Sequence, residues 1–414
     1  MNRKQIIVIG GGAAGMMAAL FAARNGAGVT LLERNEKLGK KVYITGKGRC
    51  NLTNASEMET VQKNVFRNPR FLYAAFAALD NRGVMELIEG LGTPLKIERG
   101  YRVFPVSDKA SDVIAALRRG LDGAGVRVVL NARVKSLLIE DGRCTGVIME
   151  SGEALRADAV ILATGGLSYP ATGSTGDGHR MAEDAGHAVT ATLPALVPID
   201  TVESWPGTLA GLSLKNVKLS AFAAGPKKEK KIYSEMGEML FTHTGISGPL
   251  ALTLSSVLPE ALTGVRLEID LKPALDDQML DARLLRDFRD MSRKQLGSVA
   301  DGLAPHSLAQ QLLKLAGLSP AMPVNGVTAP QRADLLRILK HVPLTPKSLR
   351  GFDEAIITRG GISVKDINPS TMESKKLPGL YFAGELIDVD AATGGFNLQI
   401  AWSTGALAGI SAAE

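Results

Sequence analysis

The first thirty-three residues constrain this chain more than any other stretch. Ile6-Ile7-Val8-Ile9 is a β-branched run of the kind buried on both faces of a parallel sheet. Gly10-Gly11-Gly12-Ala13-Ala14-Gly15 follows at once, Met16–Asn25 has helical character, and Val29-Thr30-Leu31-Leu32 makes a second strand ending in Glu33. Strand, glycine turn, helix, strand and acid in that order form a dinucleotide-binding fingerprint. Gly10 permits the turn, Gly12 lets a pyrophosphate approach the backbone, and Gly15 lets helix and strand pack closely; Ala13 and Ala14 between them count as cofactor contacts. The helix start offers free N–H groups and a positive dipole end to the phosphates. Glu33, 18 residues after Gly15, is placed to accept from both ribose hydroxyls. A turn serving packing alone would leave Glu33 unexplained. An acid there also disfavours a 2′-phosphate, so the tightly held nucleotide is expected to be FAD or NAD rather than NADP.

Composition narrows the class. The 414 residues, 45% hydrophobic and 22% charged, are globular and long enough for two or three domains. The 45 glycines are bunched in short runs, which suggests backbone wrapped around a ligand. Two cysteines exclude a disulfide scaffold and a multi-Cys zinc module, and five scattered histidines without an HExxH pair leave no metal site expected. The net charge of +6 raises nucleic acid as a partner, but the one dense basic run, Lys227-Lys228-Glu229-Lys230-Lys231, reads as a solvated hairpin tip without interleaved aromatics. Nucleic acid is the weaker reading. Arg3 and Lys4 before Gln5–Ala23 imitate a secretory signal, but Gly10, Gly11, Gly12 and Gly15 break the stretch. No membrane span is expected, and the location is read as cytoplasmic.

Three further segments separate FAD from NAD. Glu33 and Arg34 lead into a basic, glycine-rich loop with Lys40, Lys41, Thr45, Gly46, Arg49, Cys50 and Asn51, suited to a chain running along the pyrophosphate toward a second ring system. Ala159–Gly166 is an apolar strand ending in Thr164-Gly165-Gly166, a strand end that returns to the cofactor crevice in flavoproteins with two dinucleotide folds. Gly379–Glu385 is a strand ending in Gly384-Glu385; Gly394-Gly395-Phe396-Asn397-Leu398 then opens a helix to about Ser411. Flavin reduction puts negative charge at the N1–C2=O edge, and the helix start at Gly395, Asn397 and Leu398 can stabilise it. Asp388 either binds the ribityl chain or caps a turn. No second GxGxxG occurs, so NAD(P)H, if used, docks transiently against the flavin.

These segments, with Ala163–Gly178, Thr358-Arg359-Gly360-Gly361 and Thr371-Met372-Glu373-Ser374, give the chain a resemblance to the BaiN/YhiN-like flavoproteins, also described as aminoacetone-oxidase-family or NAD(P)/FAD-dependent oxidoreductases. The resemblance covers essentially the whole chain. It implies non-covalent FAD, a Rossmann-like α/β fold of the two-dinucleotide-binding type, and an FAD domain interrupted by an inserted β-barrel plus α-helical domain. Family members share no single established substrate.

The residue pattern supports the same division. Residues 1–193 alternate strand and helix, with Val126–Leu130 and Ala132–Ile139 as a pair of β runs. Val134 is expected to meet the adenine through its backbone. Residues 194–275 hold short alternating segments with Gly and Pro between them, read as a small barrel, and 276–345 follow a helical period. Residues 346–414 return to the FAD domain.

No catalytic side chain stands out. Cys50 lies where disulfide reductases carry a cysteine pair, but Cys144 is far along the chain, so Cys50 reads as a small apolar neighbour of the flavin ahead of a reactive thiolate. His243, in the insert, is a weak candidate for a general acid, and His179 and His187 look structural. The expected function is an FAD-dependent oxidoreductase passing hydride through flavin N5, with NAD(P)H driving reduction of a small organic substrate and a conjugated C=C as the concrete guess. An amine oxidase of the aminoacetone type using dioxygen is the runner-up. A flavin-bearing tRNA-modifying or RNA-binding protein is the alternative of another class. Substrate is expected between the FAD domain and the insert.

Overall fold

The computed structural model describes residues 3–225 and 229–414. Two compact units emerge: Met1–Ala195 with Gly351–Glu414, and Leu196–Arg350.

The first unit is built on a five-stranded parallel sheet in the order Leu380–Phe382, Ala159–Leu162, Gln5–Ile9, Gly28–Leu32, Arg127–Val129. Its central strands are apolar along their length because both faces are covered: Val8, Leu31, Val160 and Ile161 are inaccessible to solvent. Helix Ala13–Arg24 lies against the C-terminal helix Phe396–Ala413. Small residues make that approach possible. A Cβ on Gly405 would collide with the Ala14 carbonyl and one on Gly409 with the Ala18 carbonyl. Trp402, fully buried, donates its indole N–H to Leu52 O at 2.9 Å and fastens the same helix to the loop after the second strand.

Val126–Leu130 and Ala132–Ile139 do not pair with each other. Arg127–Val129 edges the parallel sheet, whereas Val134–Glu140 joins a separate antiparallel sheet with Arg143–Met149 and Ala154–Arg156. The chain breaks between them at Asn131 (φ 54°), where Asn131 N bonds Asn35 O and Ala132 N bonds Glu33 O. Backbone bonding to the Glu33–Asn35 turn thus takes the place of a hairpin.

In the second unit seven strands run in the order Val342–Leu344, Arg266–Asp270, Ser213–Ala223, Lys230–Phe241, Gly245–Ser247, Ile199–Thr201, Pro346–Leu349. The two outermost strands are consecutive in the chain. Residues 342–349 therefore pair with Arg266–Asp270 through their first half and with Ile199–Thr201 through their second, which closes the sheet into a barrel. Helices Asp277–Asp290, Leu296–Ala300, His306–Leu315 and Ala329–Lys340 form the helical part; Thr328 and Gln331 make a capping box on the last of these. Lys340 Nζ reaches Asp270 Oδ2 at 2.7 Å and fastens that helix to the barrel. Of the basic run, Lys230 and Lys231 sit on a strand of the long hairpin opposite Ala223 and Phe222, while Pro226, Lys227 and Lys228 lie outside the described residues.

Candidate cofactor site

Two helix starts meet the ends of the parallel strands. At the first, Gly10 (φ 104°) turns the chain; a Cβ there would stand 2.6 Å from Ala163 O, so no other residue fits. A Cβ on Gly15 would collide with Gly10 O, whereas one on Gly12 would meet nothing within 4 Å. Helix and strand are therefore packed tightly on one side and open on the other. Met16 N is the first amide to bond back, to Gly12 O, and Gly12 offers no side-chain cap, so the N–H groups of Ala13, Ala14 and Gly15 have no intrahelical partner.

At the second start, Gly394 (φ 123°) and Gly395 (φ 98°) bring the chain into helix Phe396–Ala413, and a Cβ on Gly395 would collide with Thr53 O. Gln399 N is the first to bond back, to Gly395 O, leaving Phe396, Asn397 and Leu398 N–H groups without intrahelical partners. Asn397 does not point away from the turn. Its Oδ1 accepts from Ala391 N at 2.9 Å and its Nδ2 donates to Ala391 O at 2.8 Å, which braces the glycine entry. The Asn51 amide, oriented by its neighbours, accepts from Gly395 N at 3.0 Å and donates to Thr53 O at 3.2 Å.

Glu33 is buried at the end of the second strand. Its Oε2 accepts from Gly11 N at 2.6 Å; its Oε1 accepts from Asn35 N at 2.8 Å and Asn35 Nδ2 at 2.7 Å. The carboxylate is held rigidly against the glycine turn, as an acceptor for sugar hydroxyls must be. At the third strand end, Thr164 Oγ1 is buried without a hydrogen-bond partner among the described residues, and Gly165 adopts φ 73°. A Cβ on Gly166 would collide with Thr358 Oγ1, which accepts from Leu167 N and Ser168 N at 2.7 and 3.0 Å. Two uncapped helix starts, a fixed carboxylate and an orphaned hydroxyl fit a dinucleotide with a second ring system.

The basic residues of the loop are committed to carboxylates. Lys41 Nζ contacts Ser168 Oγ and Glu385 Oε2, each at 2.5 Å, and Glu385 Oε1 accepts from Ser168 Oγ and Thr358 N. Burial works to raise the Glu385 carboxyl, but the Lys41 charge and these hydrogen bonds outweigh it and leave it lowered. Lys40 reaches Glu36 and Asn35, and Arg34 reaches Thr175 and Asp177. Arg49 binds Glu98 and Asp108 while lying 4.1 Å above the Phe104 ring. Thr45 Oγ1 donates to Val42 O, and Gly46 (φ 58°) turns the loop that Thr45 begins. Val134 opens its strand opposite Met149, and Gly384 N donates to Thr404 Oγ1 on the C-terminal helix.

Cys50 is fully buried at φ 59°, and burial pushes its thiol up to about 12 against a weaker opposing hydrogen bond from Thr45. It is a neutral thiol. Cys144 is buried as well, and both are free. His243 lies exposed in the turn before Gly245–Ser247. His179 bonds Leu386 O, and His187 bonds Ala182 O and Ser374 Oγ, so both are satisfied core histidines. Met372 (φ 61°) is buried at a turn closed by its N–H donating to Asn368 O, its own carbonyl accepts from Phe382 N, and Glu373 Oε1 accepts from Gly379 N: the block serves the strand end. Among the described residues, no group of three or more His, Cys, Asp or Glu could hold a metal ion, and no helix is long and apolar enough to cross a membrane.

Sequence reasoning did not single out Ser168, nor Arg67 and Asp390, whose Nε and Oδ1 lie 3.3 Å apart before the second helix start. Ser168 carries no pattern of its own. Asp390 follows Asp388 by two residues and could have been noticed as a second acid before the helix entry.

Residues 4–411 match the family model described as HI0933-like protein Rossmann domain. The chain is 33% identical over 421 aligned residues, all of both proteins, to a 3-dehydro-bile acid delta(4,6)-reductase of Clostridium scindens. It is 29% identical over 402 residues, 96% of each, to a ribosomal RNA dihydrouridine synthase of Haemophilus influenzae. Among solved structures, a 3-ketosteroid delta1-dehydrogenase of Sterolibacterium denitrificans shares the fold with a TM-score of 0.53 over the full length of both chains, at 16% identity. The chain belongs to the HI0933-like Rossmann family, the BaiN/YhiN-like flavoproteins, and is an FAD-dependent oxidoreductase.

Proposed function

We propose that this enzyme saturates a carbon–carbon double bond conjugated to a carbonyl in a small organic acceptor, with NAD(P)H as the electron source. The observation that carries this reading is the end-to-end relation to the Clostridium scindens protein, whose name describes reduction at ring positions conjugated to a 3-oxo group. Bound FAD would supply the hydride. The balance is one hydride to the carbon remote from the carbonyl and one proton to the adjacent carbon, with NAD(P)H becoming NAD(P)⁺.

The chain's own residues support binding and charge control. Gly10–Gly15 and Glu33 would hold the nucleotide half, and Glu385, Asp388 and Thr164–Gly166 would surround the sugar-alcohol and ring. The helix start at Phe396–Leu398 would offset negative charge on the reduced ring. A single GxGxxG fits a nicotinamide that visits and leaves. The neutral Cys50 thiol argues against a thiolate relay.

A second reading is supported by the relation to ribosomal RNA dihydrouridine synthases of Haemophilus influenzae and Escherichia coli: the acceptor would then be a uracil ring in RNA, whose double bond is likewise conjugated to a carbonyl. Anaerobic rapid mixing tests both. NADH or NADPH should bleach the flavin, and a 4,6-dien-3-one bile acid should restore its colour while gaining two hydrogens. Recovery only with an rRNA transcript moves the function to RNA. Bleaching by aminoacetone but by neither nicotinamide overturns the reductase reading.

A further inference from the structure

Segment 64–68 is laced to the loop that runs into Gly394-Gly395. Phe66 N donates to Asp390 O at 2.8 Å, Ala392 N to Asn64 O at 2.9 Å, and Asn68 Nδ2 to Asp388 O at 2.7 Å; Val65 and Ala391 form an isolated bridge. Asn68 takes φ 52° to make its contact. Between these ties stands Arg67. Its Nε lies 3.3 Å from Asp390 Oδ1 and its Nη1 3.9 Å from Asp388 Oδ1.

The two carboxylates are unusual for what they lack. Both Asp390 oxygens and Asp388 Oδ1 are buried and accept no hydrogen bond among the described residues, while the backbone carbonyls of the same two residues do the lacing. The Asp390 side chain is 0% exposed, so it cannot itself touch an acceptor molecule; the Arg67 side chain is 35% exposed and can. A carboxylate kept in such a place must be explained by what it holds. It lies against the Nε edge of a guanidinium that carries five N–H donors and whose side chain is partly open to solvent.

We propose that Arg67, fixed by Asp390 and Asp388, receives the carbonyl oxygen of the conjugated acceptor and stabilises the negative charge that develops there. This rests on the proposed double-bond reduction. Bound FAD in its reduced form would supply the hydride that makes the C–H bond at the carbon remote from the carbonyl. The double-bond electrons shift toward the carbonyl, whose oxygen becomes an enolate against Arg67. A proton from water then makes the C–H bond at the adjacent carbon and the carbonyl re-forms; the two electrons would come from FAD, and NAD(P)H would restore them. Arg67 is the group in contact and Asp390 a positioning residue. The loop joins Asp388, near the Gly384-Glu385 strand end, to the Gly394-Gly395 helix entry, and the bonds from segment 64–68 hold Arg67 beside this stretch between two expected cofactor contacts.

Asp390 makes the hold sensitive to pH. Burial raises its carboxyl to about 6, with Arg67 and Arg359 pulling it down and Asp388 pushing it up. Below that pH it takes a proton and releases Arg67.

The test compares two acceptors on the reduced holoenzyme: a 4,6-dien-3-one bile acid (with an rRNA transcript in parallel) and ferricyanide, which takes electrons without a carbonyl contact. In Arg67→Met the ratio of carbon-acceptor to ferricyanide reoxidation rates should fall about a hundredfold. The dienone should also bind the oxidised enzyme more weakly, read from the perturbed flavin spectrum, and Arg67→Lys should recover part of both. The wild-type ratio should drop as pH falls through about 6, and Asp390→Asn should show a low ratio without that inflection. FAD content and circular dichroism establish that each variant is folded. A ratio within about threefold of wild type in Arg67→Met, or an inflection that persists in Asp390→Asn, overturns the assignment. Wild-type enzyme reoxidised by ferricyanide but by neither carbon acceptor instead overturns the double-bond reading.

Discussion

Lys41 Nζ stands 2.5 Å from Glu385 Oε2, a pair formed by residues 344 positions apart. Both side chains are about four-fifths buried, at 19% and 20% exposure, and Ser168 and Thr358 complete the carboxylate's partners. Removing one member strands the other. Lys41→Met should therefore lower the unfolding free energy by about 3–5 kcal/mol in urea denaturation. Glu385 is lowered in the folded state, so its stabilisation is present above the unfolded value of 4.5 and is lost as pH falls through the folded value. The deficit of the variant should shrink on acidification; equal midpoints at neutral pH would refute the role given to the pair.

Glu33→Ala should weaken FAD binding by about 1.5–3 kcal/mol, roughly ten- to a hundredfold, because two ribose hydroxyls lose a charged acceptor. The Gly11 amide loses its partner too, so the glycine turn loosens. Fluorescence titration of the apoprotein with FAD measures this. Substituting Val134, whose proposed contact with the adenine is through its backbone, should matter less.

Asp390→Asn should stabilise the protein near neutral pH. The folded-state carboxyl, raised to about 6 from 3.8, binds a proton that the unfolded chain releases, so stability falls as pH climbs through that window. The variant should gain up to about 3 kcal/mol over wild type above pH 6 and nothing below pH 4. Thermal melts across pH decide it. A variant less stable at neutral pH would mean that the Arg67 attraction outweighs the cost of burial.

Gly405→Ala places a methyl against the Ala14 carbonyl, and both helices begin at the glycine turns proposed to hold FAD. Overpacking there should cost about 1–3 kcal/mol and weaken FAD at the same time. Gly123→Ala, where a Cβ meets nothing within 4 Å, is the control.

Cys50 should resist alkylation by iodoacetamide in the native protein at mildly alkaline pH, since a buried thiol raised to about 12 supplies almost no thiolate. Alanine at Cys50 or at the exposed His243 should leave flavin reduction within about a thousandfold of wild type, roughly 4 kcal/mol of barrier. A larger loss with FAD still bound would promote that residue to catalyst.

The glycine turn, its flanking strands and Glu33 were legible in the sequence because each obeys a local rule: a turn needs φ > 0, a buried strand needs a continuous apolar run, and the acid follows its strand directly. The apolar stretches at Ala159–Leu162 and Leu380–Phe382 were legible for the same reason. The direction of the long cations was not. Lys41, Arg34 and Arg49 lie in a loop whose composition suits phosphate, yet their partners Glu385, Asp177 and Asp108 come from 344, 143 and 59 positions away. A flexible charged side chain settles on whichever carboxylate the packed backbone brings within reach. The closure of the barrel through residues 342–349 is tertiary in the same sense, since one extended stretch serves two edges only once both are in place. Arg67 and Asp390 belong there too: neither sits in a recognisable pattern, and only the lacing of 64–68 to 388–392 makes a buried acid and a half-exposed cation into a pair. Local backbone rules act within a few residues and survive in the sequence, whereas long-range charge pairing depends on distances that exist only after the sheet has formed.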